Sequence, residues 1–392
     1  MARSGLAGRL GRIRETERIR KTVERETSAS FGHDSPDETL KDAGENDEAP
    51  TVAAGNGDES GLARELAGWT ITAPFLHERV TDVPCDTYRE KLSPYLPLLF
   101  PREKEMLTAA LDAGNFTERC VFFDLETTGL SHGAGTVAFM AGIARFVTDS
   151  DGTHSLRVQQ IILDDYPGEI AFLSRFDELV GGDPVFVSFN GKCFDSQILA
   201  TRFLMNGMRP RCMAGDVLHL DLLFPSRRLW KEALGSCRLS AIEEGILAVH
   251  RVDDLPGSEA PEAWFDFIRS GVDGRLLAIG DHNRDDCASL ALLLFALDAA
   301  IDSGTGRAAL VRALALRTER DYVGAASFLA PLAELGDRTA LRLLAVDSEH
   351  RLLDLDRALV CAEELGDEKR IGRIRNKIDR LVASGEIDGG LL

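Results

Sequence analysis

The apolar pattern is sharpest from Cys120 onward. "CVFFDLETTGL" is an apolar run with strand character that walks into two acids, Asp124 and Glu126, and stops at Gly129. Two further runs, "TVAFMAGIARFVT" (Thr136–Thr148) and "SLRVQQIIL" (Ser155–Leu163), follow after short Gly-, Asp- and Ser-bearing connections, which predicts antiparallel neighbours. A helix is predicted over Gly168–Val180, then a short buried strand over "PVFVSF" (Pro184–Phe189). A second helix spans about Phe194–Asn206, "DVLHLDLL" (Asp216–Leu223) reads as a fifth strand, and helices dominate to about Ala300. A three-strand meander followed by βαβ-like alternation predicts an α/β fold, with a mixed five-stranded sheet flanked by helices.

Outside this block the pattern changes. Residues 1–28 are arginine-rich with interleaved glutamates and read as a solvated, mixed-charge segment. Residues 29–62 are rich in Asp, Glu, Gly and Ser and nearly free of large apolar groups, so they are expected to be disordered. Order is expected to begin near Glu65, and the segment to about Glu118 is expected to mix short strands and helix, including "GWTITAPF" and the helical "REKEMLTAALDA". The last stretch is helical and holds an echo. "AASFLAPLAELGD" (Ala325–Asp337) returns as "LDRALVCAEELGD" (Leu355–Asp367), with the ELGD units 30 residues apart, near the tetratricopeptide period. The expected divisions are a charged tail over 1–62, an extension over 63–118, a main domain over 119–303 and a small helical-repeat segment over 304–392.

Composition narrows the function classes. The net charge of −19 argues against a generic polyanion binder, although much of the acid sits in one tail and a local groove can still be basic. The seven cysteines are scattered with no C-x-x-C pair, as expected of reduced thiols in a cytoplasmic protein rather than of a disulfide frame or zinc site. No apolar h-region and no run of about 18 apolar residues is seen, so neither a signal peptide nor membrane association is expected.

The acids carry the chemistry. Asp124 and Glu126, two apart on a strand, point to one face. Two like charges so close repel unless a cation sits between them, and magnesium or manganese suits carboxylate oxygens. Asp195 opens a helix after "FNGKCF", where the helix dipole alone would accommodate it. In "GDHNRDDCASLALLLFAL", His282 and Asp286 are four apart on a helix and share a face. Each of these features has a bland reading taken singly: a solvated strand end, a first-turn aspartate, a surface His–Asp pair.

In order, D-x-E, D and D with a histidine one turn before the last resemble the DEDD superfamily of 3′–5′ exonucleases on the ribonuclease-H-like fold. Asp124 and Glu126 match its first motif, Asp195 its second and Asp286 its third. "FFDLETTGL", "GAGTVAFMAGIARF", "FNGKCFD", "PSRRLWKEALGSCRLSAIEEGILAVHRVDDLPG" and "HNRDDCASLALL" together resemble the YprB-like group of predicted exonucleases, from about Glu65 to Ala300. A short helical tail is also familiar in that group.

The resemblance implies two divalent ions, Mg2+ or Mn2+, held by Asp124, Glu126, Asp195 and Asp286, and hydrolysis of a phosphodiester at the 3′ end of DNA or RNA, single-stranded by preference. Asp124 is the candidate to bridge both ions. One departure concerns His282: the superfamily places Tyr four residues, or His five, before the last Asp, and here His stands at the tyrosine spacing. His282 is retained as the residue that orients the attacking water.

Thr128, Gly129 and Leu130 follow the first motif and are expected to meet the terminal nucleotide, together with Asn190 and Lys192. Leu130 serves equally as core packing. Arg227 and Arg228 in "SRRLWK" form a basic patch suited to phosphates, with Trp230 in the core. Arg251 with Asp253 and Asp254, in "HRVDDLPG", reads as a maker of structural ion pairs in a loop rather than as a substrate contact. The C-terminal helices are the expected seat of a protein partner. The competing reading is a catalytically silent nucleic-acid or protein-binding module on the same fold.

Overall fold

The computed structural model describes residues 66–129, 135–150, 152–251, 254–271 and 274–384. The expectations for residues 1–62, and for Leu130, lie outside the described residues.

The sheet has seven strands: β1 (Thr70–Ala73), β2 (Leu76–Pro84), β3 (Cys120–Thr127), β4 (Ala138–Thr148), β5 (His154–Leu163), β6 (Val185–Ser188) and β7 (Leu218–Asp221). Their order is β1-β2-β5-β4-β3-β6-β7. Pairing is antiparallel from β1 to β3 and parallel from β3 through β6 to β7. The expected count of five is corrected to seven by β1 and β2. β1 lies within "GWTITAPF", where short strands are expected, whereas β2, "LHERVTDVP", mixes charged and apolar residues, with one side partly open to water, and carries no apolar run.

Between and around these strands run α1 (Lys104–Asp112), α2 (Glu169–Val180), α3 (Asp195–Met205), α4 (Leu223–Leu234), α5 (Ala260–Ser270) and the thirty-residue α6 (Gly274–Ser303). The side-chain period of two splits β3 between the two faces. Val121, Phe123 and Leu125 join the core that α2, α3 and α5 cover. Cys120 and Phe122 join the opposite core, against the second half of α6 and α4. Trp230 packs against that second core, as expected. No single helix among the described residues is long and apolar enough to cross a membrane.

Five more helices follow: α7 (Arg307–Thr318), α8 (Tyr322–Glu334), α9 (Arg338–Asp347), α10 (Leu355–Leu365) and α11 (Glu368–Ala383). The ELGD echo has a local cause. Gly336 and Gly366 take positive φ and end their helices, and the aspartate that follows caps the next helix. Arg320-Asp321 and Leu353-Asp354 repeat the device with a non-glycine residue at positive φ.

Candidate active site

The C-terminal ends of the parallel strands β3, β6 and β7 open to the same side, where ligands bind in open α/β sheets. A cleft of about 350 Å3 lies there, lined by Asp124, Glu126, Asp195, His282 and Asp286 among others. These five come from β3, the start of α3 and the middle of α6, so three separate stretches of sequence meet in one place. Thr127, Gly129, Asn190, Phe194 and Gly257 complete much of the wall.

Local sequence explains how each acid is aimed. Asp124 and Glu126 share the β3 face that Phe122 also uses, which fixes both toward one side. Asp195 is turned in by the loop before it. Asn190 stands at φ 67°, and its N–H donates to Asp221 Oδ1 at 2.8 Å. A Cβ on Gly191 would lie 2.7 Å from both Asp195 Oδ2 and Ser188 Oγ, so only glycine lets this loop pass under the carboxylate.

The carboxylates push one another's proton affinity up. Burial holds Asp124 well above the usual carboxylate range, and the charges of Asp286, Asp195 and Glu126 add to it. Glu126 is raised well above its ordinary value by burial, then by Asp286 and Asp195. Asp195 is pushed up to about 7 by burial and by the neighbouring Asp221. Asp286 is raised by burial, opposed by His282 and Arg251. Four oxygen-only donors in mutual repulsion are the donor set a hard divalent cation favours. As the side chains stand, no three acidic, histidine or cysteine groups among the described residues converge in a metal-holding geometry.

Arg251 fills part of that role. Its guanidinium pairs with Asp286 and with the buried Glu243, and lies 3.6 Å from Asp254 Oδ2. The loop ion pairs expected of Arg251 thus reach into the cleft. Asp254 Oδ1 is 2.7 Å from His282 Nδ1, and Arg251 Nη1 is 3.1 Å from the same nitrogen. Both neighbours meet Nδ1, which leaves Nε2 on the Asp286 side, 3.6 Å from Oδ2. Arg251 and Asp254 were legible only as partners in a loop; their contacts with Asp286 and His282, 35 and 28 residues away, were not, and Glu243 and Asp221 carried no signal.

Thr128, Lys192, Arg227 and Arg228 are not among the residues that line the cleft. Thr128 pairs with Val137 through both its backbone and its hydroxyl. Lys192 is paired with Glu103, before α1. Arg227 and Arg228 are exposed on α4, and Arg228 donates to the Leu98 carbonyl at 2.9 Å.

Residues 121–297 match the model of the RNase_H superfamily. The chain is 35% identical over 173 residues to the uncharacterized protein YprB of Bacillus subtilis (strain 168), covering 44% of this chain and 40% of that protein. Among solved structures, exonuclease I aligns at 22% identity over 33% of this chain and 36% of that one, with a TM-score of 0.26. E. coli exonuclease I in complex with a dT13 oligonucleotide aligns at 19% identity over 42% of each chain, with a TM-score of 0.27. The chain spans less than half the length of each of these relatives. Over residues 121–297, then, the chain carries a domain of ribonuclease H-like fold, similar in sequence to that superfamily and to YprB.

Proposed function

We propose that this protein is a divalent-metal-dependent 3′–5′ exonuclease. The observation that carries the reading is the meeting of Asp124, Glu126, Asp195 and Asp286, from three elements, in one cleft at the C-terminal end of β3. Bound Mg2+ or Mn2+, taken as two ions, supplies a water of lowered pKa and a Lewis acid for the leaving oxygen. Asp124, Glu126, Asp195 and Asp286 would hold them. His282, its Nδ1 engaged by Asp254, would turn Nε2 to the attacking water. Gly129 and Asn190 stand at the cleft wall, where the terminal nucleotide of a DNA or RNA strand approaches. Leu130, Thr128, Lys192, Arg227 and Arg228 are proposed to extend that contact along the strand, and the C-terminal helices to receive a protein partner.

The test is incubation of the full chain with 5′-labelled single-stranded DNA and RNA in Mg2+ or Mn2+, with EDTA and Asp124→Ala as controls. A metal-dependent ladder shortening from the 3′ end, absent in the variant, is expected. The Arg251–Asp286 ion pair favours a second reading, a silent nucleic-acid or protein-binding module. Binding of either strand that survives Asp124→Ala, without cleavage, would select it.

A further inference from the structure

Four residues form one straight row across the sheet. Arg79 on β2 faces Gln160 on β5, Gln160 faces Gly142 on β4, and Gly142 faces Asp124 on β3. The row spans three strand spacings, about 14 Å. Gly142 leaves a gap in it, and Asn283 of α6 fills that gap. A Cβ on Gly142 would lie 2.4 Å from Asn283 Oδ1 and 2.6 Å from Cys287 Sγ.

Hydrogen bonds run the length of this row in one direction. Arg79 Nε and Nη2 donate to Gln160 Oε1 at 3.0 and 2.8 Å. Gln160 Nε2 donates to Asn283 Oδ1 at 2.9 Å and to the Gly280 carbonyl at 2.7 Å. Asn283 Nδ2 donates to Asp124 Oδ2 at 3.0 Å and to the Asp124 carbonyl at 3.1 Å. The direction is forced. A guanidinium has no acceptor, so Gln160 must show it the carbonyl oxygen and turn its NH2 to Asn283. Asn283 must then show its own oxygen to Gln160 and its NH2 to Asp124. Gln160 and Asn283 are buried, so neither amide has water as an alternative partner. Arg79 is itself held, by Asp281 at 2.9 Å and over the Trp69 ring at 4.8 Å.

We propose that Asn283 is the positioning residue of Asp124, set in orientation by Gln160 and Arg79. The divalent-cation affinity of the cleft is thereby fixed from a strand outside the ribonuclease H match. The proposal rests on the reading of Asp124 as a cation ligand. The donated N–H occupies one lone pair of Oδ2 and fixes the rotation of the carboxylate. Partners of this kind change metal affinity by about 10–100-fold.

The test is Mn2+ titration of the full chain by calorimetry, with the melting temperature of each variant recorded in EDTA. Asn283→Leu removes the donor. Gln160→Glu keeps the shape and the Arg79 contact, but offers Asn283 only acceptor oxygens, so the amide turns its own oxygen on Asp124. Both are expected to weaken Mn2+ binding by about 10–100-fold, more than any change in melting explains. If a buried variant does not fold, Arg79→Leu at the outer end of the row carries the test, with a several-fold loss expected. Folded variants that bind Mn2+ within two-fold of wild type, while Asp124→Asn abolishes binding, would overturn the proposal and leave the cation reading standing. A wild-type chain that binds no Mn2+ would overturn both.

Discussion

The guanidinium of Arg251 is paired with the carboxylate of Asp286, the last acid of the cleft. Arg251 also neutralises the buried Glu243. Removing one partner of a buried pair costs about 3–5 kcal/mol, because the other charge is left uncompensated. Arg251→Met is therefore expected to lower stability by about that amount in EDTA. On the proposed cation reading, a divalent ion that binds only the folded cleft stabilises both chains, and the variant more, because Arg251 no longer holds Asp286. Thermal melting in EDTA and in saturating Mn2+ checks this: the gap between variant and wild type should narrow with the ion.

Gly191→Ala tests the aim of Asp195. The added methyl would stand 2.7 Å from Asp195 Oδ2, so the carboxylate or the loop must shift. A misplacement of about 1 Å at a reacting centre costs about 100-fold in rate. Cleavage of a labelled strand should fall on that scale, while urea denaturation shows a fold that is retained.

How far the sequence could be read is plain from these residues. Alternation put Asp124 and Glu126 on one face of β3, and helical spacing put His282 and Asp286 on one face of α6. Those are local relationships, and a period of 2 or 3.6 carries them. Arg251 and Asp286 are 35 residues apart, Asn283 and Asp124 are 159 apart, and Arg79 and Asp281 are 202 apart. No periodicity reports such pairs. β2 was missed for a related reason. It is stabilised by pairing with β5 along its whole length rather than by an apolar run of its own.

The C-terminal helices have their own buried charge. Glu349 is almost fully buried and accepts from Arg373 and Lys377 at 2.7 Å and from Arg370 at 3.2 Å. The Arg373 hydrogen bond is the main cause that holds its carboxyl down at about 2, against an ordinary 4.5. A depressed folded-state pKa contributes stability that is present above the unfolded value and lost as pH falls toward the folded one. Glu349→Gln should cost about 3–5 kcal/mol at neutral pH. The difference from wild type should begin to shrink below about pH 4.5. Denaturant melts at stepped pH read this directly.

Asp337→Ala tests the helix junctions. Asp337 accepts from the N–H groups of Thr339 and Ala340 at 2.8 and 2.9 Å. Loss of such a cap costs about 1 kcal/mol. Asp337→Asn, which can still accept, should recover most of it in the same melt.

The nine-residue pairing of β2 with β5 decides where the polypeptide can be cut. A fragment begun at the edge of the ribonuclease H match would strip β2 away. It would lay bare the whole length of β5, with its unpaired N–H and C=O groups and its buried Val158, Ile161 and Ile162 beside them. Such an edge is a template for a stray strand from another molecule. The amino-terminal strand pair is thus the sheet's selvedge, and without it the fabric is open to fibrils and tangles.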